Sequence, residues 1–413
     1  MTFLYAFMNF FQPGVFWPQM ADLKPMLVLS LVGVFVGLAR KSAYSRKEAF
    51  SHPIFFWLAT FIVVQAVSLV RNGLSVAMAG FSFWDVYLFF VIVSLLLITD
   101  EKTLSRYVWG MMVGGMFITA FGILAVIDTW PQAVGGRAGA YGMYENHNDY
   151  SFLIIQIVPF LYMYRKISQR TSVRLLLGLS LLACMVGIMM SLSRGGMMAL
   201  VLEFALIILI GMDGRKRLWW LPVLAMVGLA AVGYQFAKRA ENQGDSYTAA
   251  DAENSRLELW EAGGAMILDH PLLGIGSGHF YEFAQEYGEI SHDNRGKNSH
   301  NTYLEILTGT GLIGFGSFVM MILRLIRGLR QPSSAAGPPV LNATRRATLI
   351  AIYSILFRAT LDAKPHDWSF YILCTIGLAC IMLQRQWERA STGQAVASDR
   401  PGSGPVSGHG VLG

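Results

Sequence analysis

A short polar segment, Asn298-Ser299-His300-Asn301, stands directly before an apolar stretch that begins near Thr302. The imidazole of His300 titrates near neutral pH, and neighbouring arginines would lower its pKa and keep it unprotonated. An unprotonated imidazole is what a general base requires. The alternative is a helix-capping sequence, because Ser299 and Thr302 with Glu305 fit a helix start and would make His300 incidental. The residues leave both interpretations open.

Arg194 lies in Ser193-Arg194-Gly195-Gly196, between two apolar stretches with almost no connection. Its side chain must therefore sit at or just below a membrane interface. An ionisable group at that depth costs a few kcal/mol unless it is paired or hydrated, so a functional role is the default hypothesis. The alternative is an arginine that extends along the apolar surface to reach the lipid headgroups.

Arg256 opens a stretch of helical apolar spacing and is one of few basic residues in its segment. It fits an anion site, but a surface pair with Glu253 or Glu258 would explain it equally well. Arg137, in Gly136-Arg137-Ala138-Gly139, is a further isolated cation.

The long polar segment 237–300 holds four histidines, namely His270, His279, His292 and His300. Their spacing matches no compact metal-ligand pattern, so we predict no metal. The glycines of residues 274–278 follow no strand, and the sequence has no Walker-type phosphate loop. We therefore predict no bound cofactor and no use of ATP.

The elements that carry these residues are apolar. The chain has 413 residues, of which 54% are hydrophobic and 14% charged, against about 25% charged residues in soluble domains. A membrane span needs about 20 mostly apolar residues, and lipid favours helices because it offers the backbone no partners. We predict an all-α, polytopic bundle of about twelve transmembrane helices, or eleven if the first, with Pro13 and Gly14, does not cross. The predicted spans are 3–18, 25–39, 53–70, 81–99, 107–128, 149–165, 174–191, 195–212, 218–236, 302–325, 346–361 and 368–384.

Basic clusters fall in every second connection, which predicts that those connections are cytoplasmic. The net charge of +6 has this topological explanation, so we predict no nucleic-acid partner. The acidic segment 237–300 then belongs to the opposite face as one large, partly helical periplasmic loop, because 254–268 shows helical apolar spacing. The predicted organisation is helices 1–9 over 1–236, this loop over 237–300, helices 10–12 over 301–389, and a disordered cytoplasmic tail over 390–413. The first apolar stretch has no charged residue before it and is interpreted as an uncleaved span.

Three segments resemble the O-antigen ligase family. His300-Asn301, nine further residues, Gly311, two residues and Gly314 reproduce the family signature His-(Asn/Ser/Gln)-x9-Gly-x-x-(Gly/Thr/Tyr). The run 191–196 is similar to the family's Ser-Arg-Gly segment, and 269–276 is similar to its loop segment. The resemblance covers residues 137–320.

The resemblance implies a metal-independent glycosyltransferase of the bacterial inner membrane. Its principal loop would follow the ninth of twelve spans, and its active site would face the periplasm. The donor would be an undecaprenyl-diphosphate-linked glycan, and the acceptor would be a glycan, lipid A core or a protein, amid membrane lipids. Arg194 and Arg256 would hold the diphosphate through paired guanidinium donors, and His300 would act as general base. Arg137, Asn148 and Asn301 are further candidates for substrate contacts.

Two alternatives stay open. A repeat-unit polymerase of the same superfamily often carries Arg-x10-Gly motifs, which no outer-face arginine has here, but the acceptor is not readable from the residues. A secondary transporter would show mid-span charges and related halves. The sequence has few such charges, the clearest being Glu203, and no internal repeat.

Overall fold

The computed structural model describes residues 1–12, 19, 24–127, 137–140, 144–212, 249–331, 337–364 and 367–398, together with scattered positions between 214 and 233. Within these residues all regular structure is helical. The helices, numbered along the described chain, are α1 Thr2–Phe11, α2 Pro25–Ala39, α3 Arg46–Phe50, α4 Pro53–Ser68, α5 Leu74–Leu97, α6 Glu101–Val126, α7 His147–Ile167, α8 Thr171–Met190, α9 Arg194–Leu206, α10 Ala249–Asp269, α11 Phe280–Tyr287, α12 Thr302–Arg330, α13 Pro339–Arg358 and α14 Trp368–Ser398.

Six segments of the described chain are long and apolar enough to cross a membrane. They are Pro53–Asn72, Glu101–Val126, Thr171–Met190, Arg194–Gly211, Thr302–Arg330 and Trp368–Ser391. The described part of the chain is therefore all-helical, and these apolar helices indicate a multi-pass membrane protein. The total of about twelve spans stays a prediction, and most of the predicted ninth span, 218–236, lies outside the described residues.

Helix α7 is buried along most of its length and packs against α6, α8, α9 and α13. Helix α12 packs against α4, and α13 packs against α14. Close approach of α1 to α6 depends on Gly110, where an added Cβ would lie 2.3 Å from the Phe3 carbonyl oxygen. The ends of α7, α9, α12 and α13 meet on one side of the bundle. The candidate functional residues lie there.

The segment 249–300 folds on a small core of its own. Seven buried apolar residues of α10, α11 and the turns around them form this core: Leu259, Ala262, Met266, Ile275, Phe280, Ala284 and Ile290. The helical spacing noted at 254–268 corresponds to α10. Residues 237–248 of the predicted loop lie outside the described residues.

Helix α12 is broken at Gly311, whose φ of 62° and ψ of −166° no helix contains. The turn after α10 pairs with this break through its main chain. Leu312 N–H donates to the Pro271 carbonyl at 2.7 Å, and Ile275 N–H donates to the Thr308 carbonyl at 2.9 Å. An added Cβ at Gly311 would lie 2.3 Å from the Leu272 carbonyl carbon and oxygen, so only glycine fits.

Several predicted bounds were wrong. Helix α1 ends at Phe11, where Gln12 turns left-handed with φ 48°, and residues 13–18 of that predicted span lie outside the described residues. Helix α5 already begins at Leu74, so most of the predicted connection 71–80 is helical. Helix α13 begins at Pro339, seven residues before the predicted 346, because arginine side chains at a helix end reach polar partners without ending the helix.

The last helix also extends further than predicted. Helix α14 continues to Ser398, so residues 390–398 of the predicted tail are helical. Side-chain hydrogen bonds run along the helix as far as Ser391, since Gln384 donates to Glu388 at 2.7 Å and Ser391 donates to the Trp387 carbonyl at 2.9 Å. Residues 399–413 lie outside the described residues.

Candidate active site

His300 occupies a strained turn directly before α12. Its φ of 53° lies in the left-handed region, which residues other than glycine rarely adopt. The surrounding contacts hold the turn in place, because the Ser299 N–H donates to Glu305 Oε1 at 2.7 Å and Trp260 Nε1 donates to the Ser299 carbonyl at 2.9 Å. Strain of this kind persists only where neighbouring structure fixes it, and it clusters at functional sites.

Asn301, proposed from sequence as a substrate contact, is the N-cap of α12. Its Oδ1 accepts from the N–H groups of Tyr303 at 3.0 Å and Leu304 at 3.2 Å. The cap predicted from Ser299, Thr302 and Glu305 is therefore made by a different residue. Thr302 instead donates from its N–H to the Ala359 carbonyl at 2.8 Å, which ties the His300 turn to the connection after α13.

Charged side chains from three segments act on His300. Burial lowers the pKa of the imidazole, Arg256, Lys297 and Lys364 lower it further, and the Asp362 carboxylate acts in the opposite sense. The predicted direction of the shift is thus present, but burial rather than arginine charge is its main cause. The arrangement favours an unprotonated imidazole at neutral pH.

A second tight turn, residues 191–193, joins α8 to α9 and precedes Arg194. Leu192 is left-handed with φ 49°, and Ser193 caps α9 by accepting from the Gly196 N–H at 3.2 Å. Asn148, at the start of α7, accepts from Ser193 Oγ through its side-chain Oδ1 at 2.7 Å. Asn148 therefore positions the turn that carries Arg194, which is half-buried as the first residue of α9.

Arg137 supports the same turn. Its Nε donates to the Ser191 carbonyl at 3.0 Å and its Nη2 donates to the Leu192 carbonyl at 3.3 Å. The backbone next to Arg137 also contacts the end of α8, since the Ala138 N–H donates to the Met190 carbonyl at 2.9 Å. These bonds give Arg137 a supporting role in the geometry.

Arg358 joins the two turns, and sequence reasoning missed it. Its guanidinium is buried, with Nη1 donating to Ser193 Oγ at 3.3 Å and Nη2 to the Asn148 carbonyl at 3.3 Å. Nη2 also pairs with Asp362 Oδ2 at 3.2 Å. The available signal was an arginine inside the predicted span 346–361 with an aspartate four residues later.

Lys364 adds a second ion pair at this end of the bundle, with Asp149 of α7. Burial alone would lower the pKa of Lys364, but the carboxylates of Asp149, Asp362 and Asp367 raise it above its usual value. The lysine therefore stays charged. Residues 359–364, directly after α13, thus contact both the His300 turn and the start of α7.

Residues 179–319 match the family model described as O-antigen ligase. This match supports membership of the O-antigen ligase family. A search of curated proteins finds no match to the chain. The matched stretch contains Arg194, Arg256 and the His300 turn, and the family implies in general a membrane glycosyltransferase-like enzyme acting on lipid-linked glycan and acceptor substrates.

The glycines of the family signature and of the Ser-Arg-Gly segment have structural tasks in this fold. Gly311 makes the break in α12 that receives the loop. An added Cβ at Gly314 would lie 2.1 Å from Thr310 Oγ1, and one at Gly195 would lie 2.1 Å from Arg358 Nη1. The signature therefore specifies the packing around the site as well as the imidazole itself.

Of the remaining predicted site residues, Arg256 is half-buried and contributes to the charge around His300. Its possible surface partner Glu258 is engaged elsewhere, accepting from the Ser291 N–H at 3.1 Å and Asn294 Nδ2 at 2.8 Å. Side-chain contacts of Glu253 lie outside the described residues.

Other histidines of the loop are separate from this site. His270 Nδ1 contacts Arg71 Nη1 at 2.9 Å, and its Nε2 contacts Tyr287 Oη at 3.0 Å. Across the described residues, His, Cys, Asp and Glu side chains form no group of three suited to a metal ion.

Proposed function

We propose that the protein transfers a glycan from undecaprenyl diphosphate to an acceptor hydroxyl, as an O-antigen ligase, at the periplasmic face of a bacterial inner membrane. The acceptor oxygen attacks the anomeric carbon of the donor and inverts it. The bond from that carbon to the phosphate oxygen breaks, and undecaprenyl diphosphate departs with the electron pair. The proton of the acceptor hydroxyl passes to His300.

The observation that carries this proposal is the position of His300. Its imidazole lies in a held, strained turn, and cations from α10, the outer loop and the connection after α13 surround it. Such an environment favours the unprotonated base and an anionic ligand together. A catalytic base beside a phosphate site is what glycosyl transfer from a lipid diphosphate requires.

Arg194 and Arg256 hold the donor diphosphate in this proposal. A guanidinium offers a permanent charge and forked donors that suit phosphate oxygens. Neutralisation by arginine replaces the divalent ion that many phosphate-handling enzymes use, and the donor diphosphate supplies the driving force. Arg137 and Asn148 support the Arg194 turn, and Asn301 supports the His300 turn.

The test uses purified protein in detergent with a synthetic undecaprenyl-diphosphate glycan, an acceptor glycolipid, excess chelator and no nucleotide. We expect the wild-type protein to consume the donor and release undecaprenyl diphosphate. His300→Ala should lower the rate by about 10²–10⁴-fold, the usual contribution of a general base. His292→Ala is the matched control, because His292 lies in the same loop with a side chain 92% exposed.

A His300→Ala protein with wild-type activity would remove the base assignment, and a requirement for a divalent ion would remove the arginine mechanism. Supplying lipid A core and a glycan repeat unit as competing acceptors separates a ligase from a polymerase, because each consumes only one of them.

A further inference from the structure

Arg358 reaches three separate segments from the end of α13. It is 1% exposed, and it contacts Ser193 of the α8–α9 turn, the Asn148 carbonyl of α7 and the Asp362 carboxylate, each at 3.2–3.3 Å. A lone arginine buried at this depth is costly, so its retention depends on these partners.

The turn that carries Arg194 is shaped around this guanidinium. Gly195 directly follows Arg194, and a Cβ there would lie 2.1 Å from Arg358 Nη1 and 3.0 Å from Cζ. The guanidinium therefore packs against the backbone beside Arg194, where any larger residue would displace it. Ser193, on the other side of Arg194, donates to Asn148 and is contacted by Arg358.

Asp362 connects Arg358 to the His300 turn. Its carbonyl accepts from Thr302 Oγ1 at 2.6 Å, two residues after His300, and its carboxylate is the one negative group that acts on the His300 pKa among those described. Arg358 compensates that carboxylate directly.

We propose that Arg358 is a positioning residue that fixes the Arg194 turn relative to the His300 turn. The donor diphosphate and the His300 base then keep a fixed position relative to each other. It does not touch the substrate. The inference rests on the proposed function for its catalytic consequences, but its structural part stands independently of that function.

Arg358→Gln should raise the KM for the donor about tenfold and leave the KM for the acceptor unchanged, because only the donor is held by Arg194. It should also move the acid limb of the pH–rate profile to higher pH, because Asp362 then acts on His300 uncompensated, against Arg256, Lys297 and Lys364. Asp149 and Lys364 face the same guanidinium region and are unchanged.

Three further variants sharpen the test. Arg358→Lys keeps the charge but lacks the forked guanidinium donors. Its donor KM should lie between those of wild type and Arg358→Gln. Gly195→Ala keeps every charge but displaces the guanidinium, and it should raise the donor KM and leave the acceptor KM unchanged. Arg345→Gln is the matched control, because Arg345 lies in the same helix at the opposite end, where it donates to the Gln331 carbonyl.

A merely structural role predicts a lower amount of active enzyme with both KM values and the acid limb unchanged, and that result would overturn the proposal. If wild-type protein transfers no glycan, the proposed function fails, and hydrogen exchange then tests the inference separately. Arg358→Gln should speed amide exchange in residues 146–150 and 191–196 relative to Arg345→Gln. Unchanged exchange in both segments would contradict the positioning role.

Discussion

The protonation state of His300 follows from the charges and burial at its turn. Its lowered pKa means that the unprotonated form persists below the ordinary histidine value of about 6.5. Because the base form is active in the proposed reaction, the transfer rate should fall only as pH drops through this lowered pKa. The rate should be flat across neutral pH on that side of the profile.

Removing one of the cations should move this acid limb. Lys297→Gln takes away a charge that lowers the His300 pKa, so the limb should shift to higher pH by roughly 0.1–0.7 unit, as expected for a surface charge. The measurement is the pH–rate profile at saturating donor. Arg295→Gln, two residues away in the same exposed loop, should leave the limb in place; an equal shift in both variants would show a non-specific effect of net charge.

Single residues differ in how far sequence reveals them. The imidazole and Arg256 stand at positions where composition and the signature motif draw attention. Arg358 escaped notice because it ends an apolar run and its partners Ser193 and Asn148 are more than 160 residues away. Arg137 and Asn148 were recognised as polar groups of interest, but their bonds to the 191–193 turn depend on a left-handed Leu192 that no residue type announces.

At the scale of elements, the break in α12 is the most demanding local geometry. Gly311→Ala should be strongly destabilising, because the left-handed backbone costs about 1–3 kcal/mol and the added methyl meets the Leu272 backbone. Thermal unfolding in detergent measures the loss, with transfer activity expected to fall in parallel. Gly316→Ala is the control in the same helix, where an added Cβ meets no atom within 4 Å. Equal melting temperatures for the two variants would contradict this view of Gly311.

The Asp149–Lys364 pair fastens α7 to the connection after α13. Each side chain is about a quarter exposed, 23% and 24%, so removing one partner should cost about 1–3 kcal/mol, less than a fully buried pair. Asp149→Asn and Lys364→Gln should each lower the melting temperature, and the double variant should lose less than their sum. Glu48→Gln breaks the exposed pair with Arg389 and should hardly change the melting temperature. Strict additivity in the double variant would indicate that the pair does not contribute.

The presence of helices was predictable because apolar stretches in lipid have few other solutions, but their ends were not. Arginines at 345 and 346 suggested a connection, whereas α13 runs through them from Pro339. Conversely, the abrupt α8–α9 junction was visible in Ser193-Arg194-Gly195-Gly196, since two apolar runs leave no room for a longer connection.

For the whole molecule, orientation across the membrane is the feature on which the proposed chemistry depends. Arg295→Cys should react with a membrane-impermeant maleimide in intact spheroplasts, and Lys41→Cys should react only after permeabilisation, because the two positions belong to opposite predicted faces. Both positions are exposed, and the native Cys184, Cys374 and Cys380 are buried, which keeps background labelling low. Protection of Arg295→Cys in spheroplasts would place the His300 turn on the cytoplasmic side and exclude the proposed donor.

The overall architecture was predictable to the extent that it follows from hydropathy and charge. The all-helical class and the folded character of 249–300 agree with the sequence. Which helices pack together did not follow, because α7 contacts α13 and α4 contacts α12 across most of the chain, and apolar faces carry no label of their partner.

The main-chain pairing between residues 271–276 and 308–313 also limits how such proteins can be recombined. Each of the two stretches makes hydrogen bonds to the main chain of the other. They therefore behave as one inherited unit, although 31 residues of sequence separate Gly276 from Thr308. A hybrid that takes its external segment from a relative should therefore include the first half of the following helix through Gly314. A graft cut at the His300 turn would combine residues 271–276 of one protein with residues 308–313 of another, and these two backbones would not fit each other.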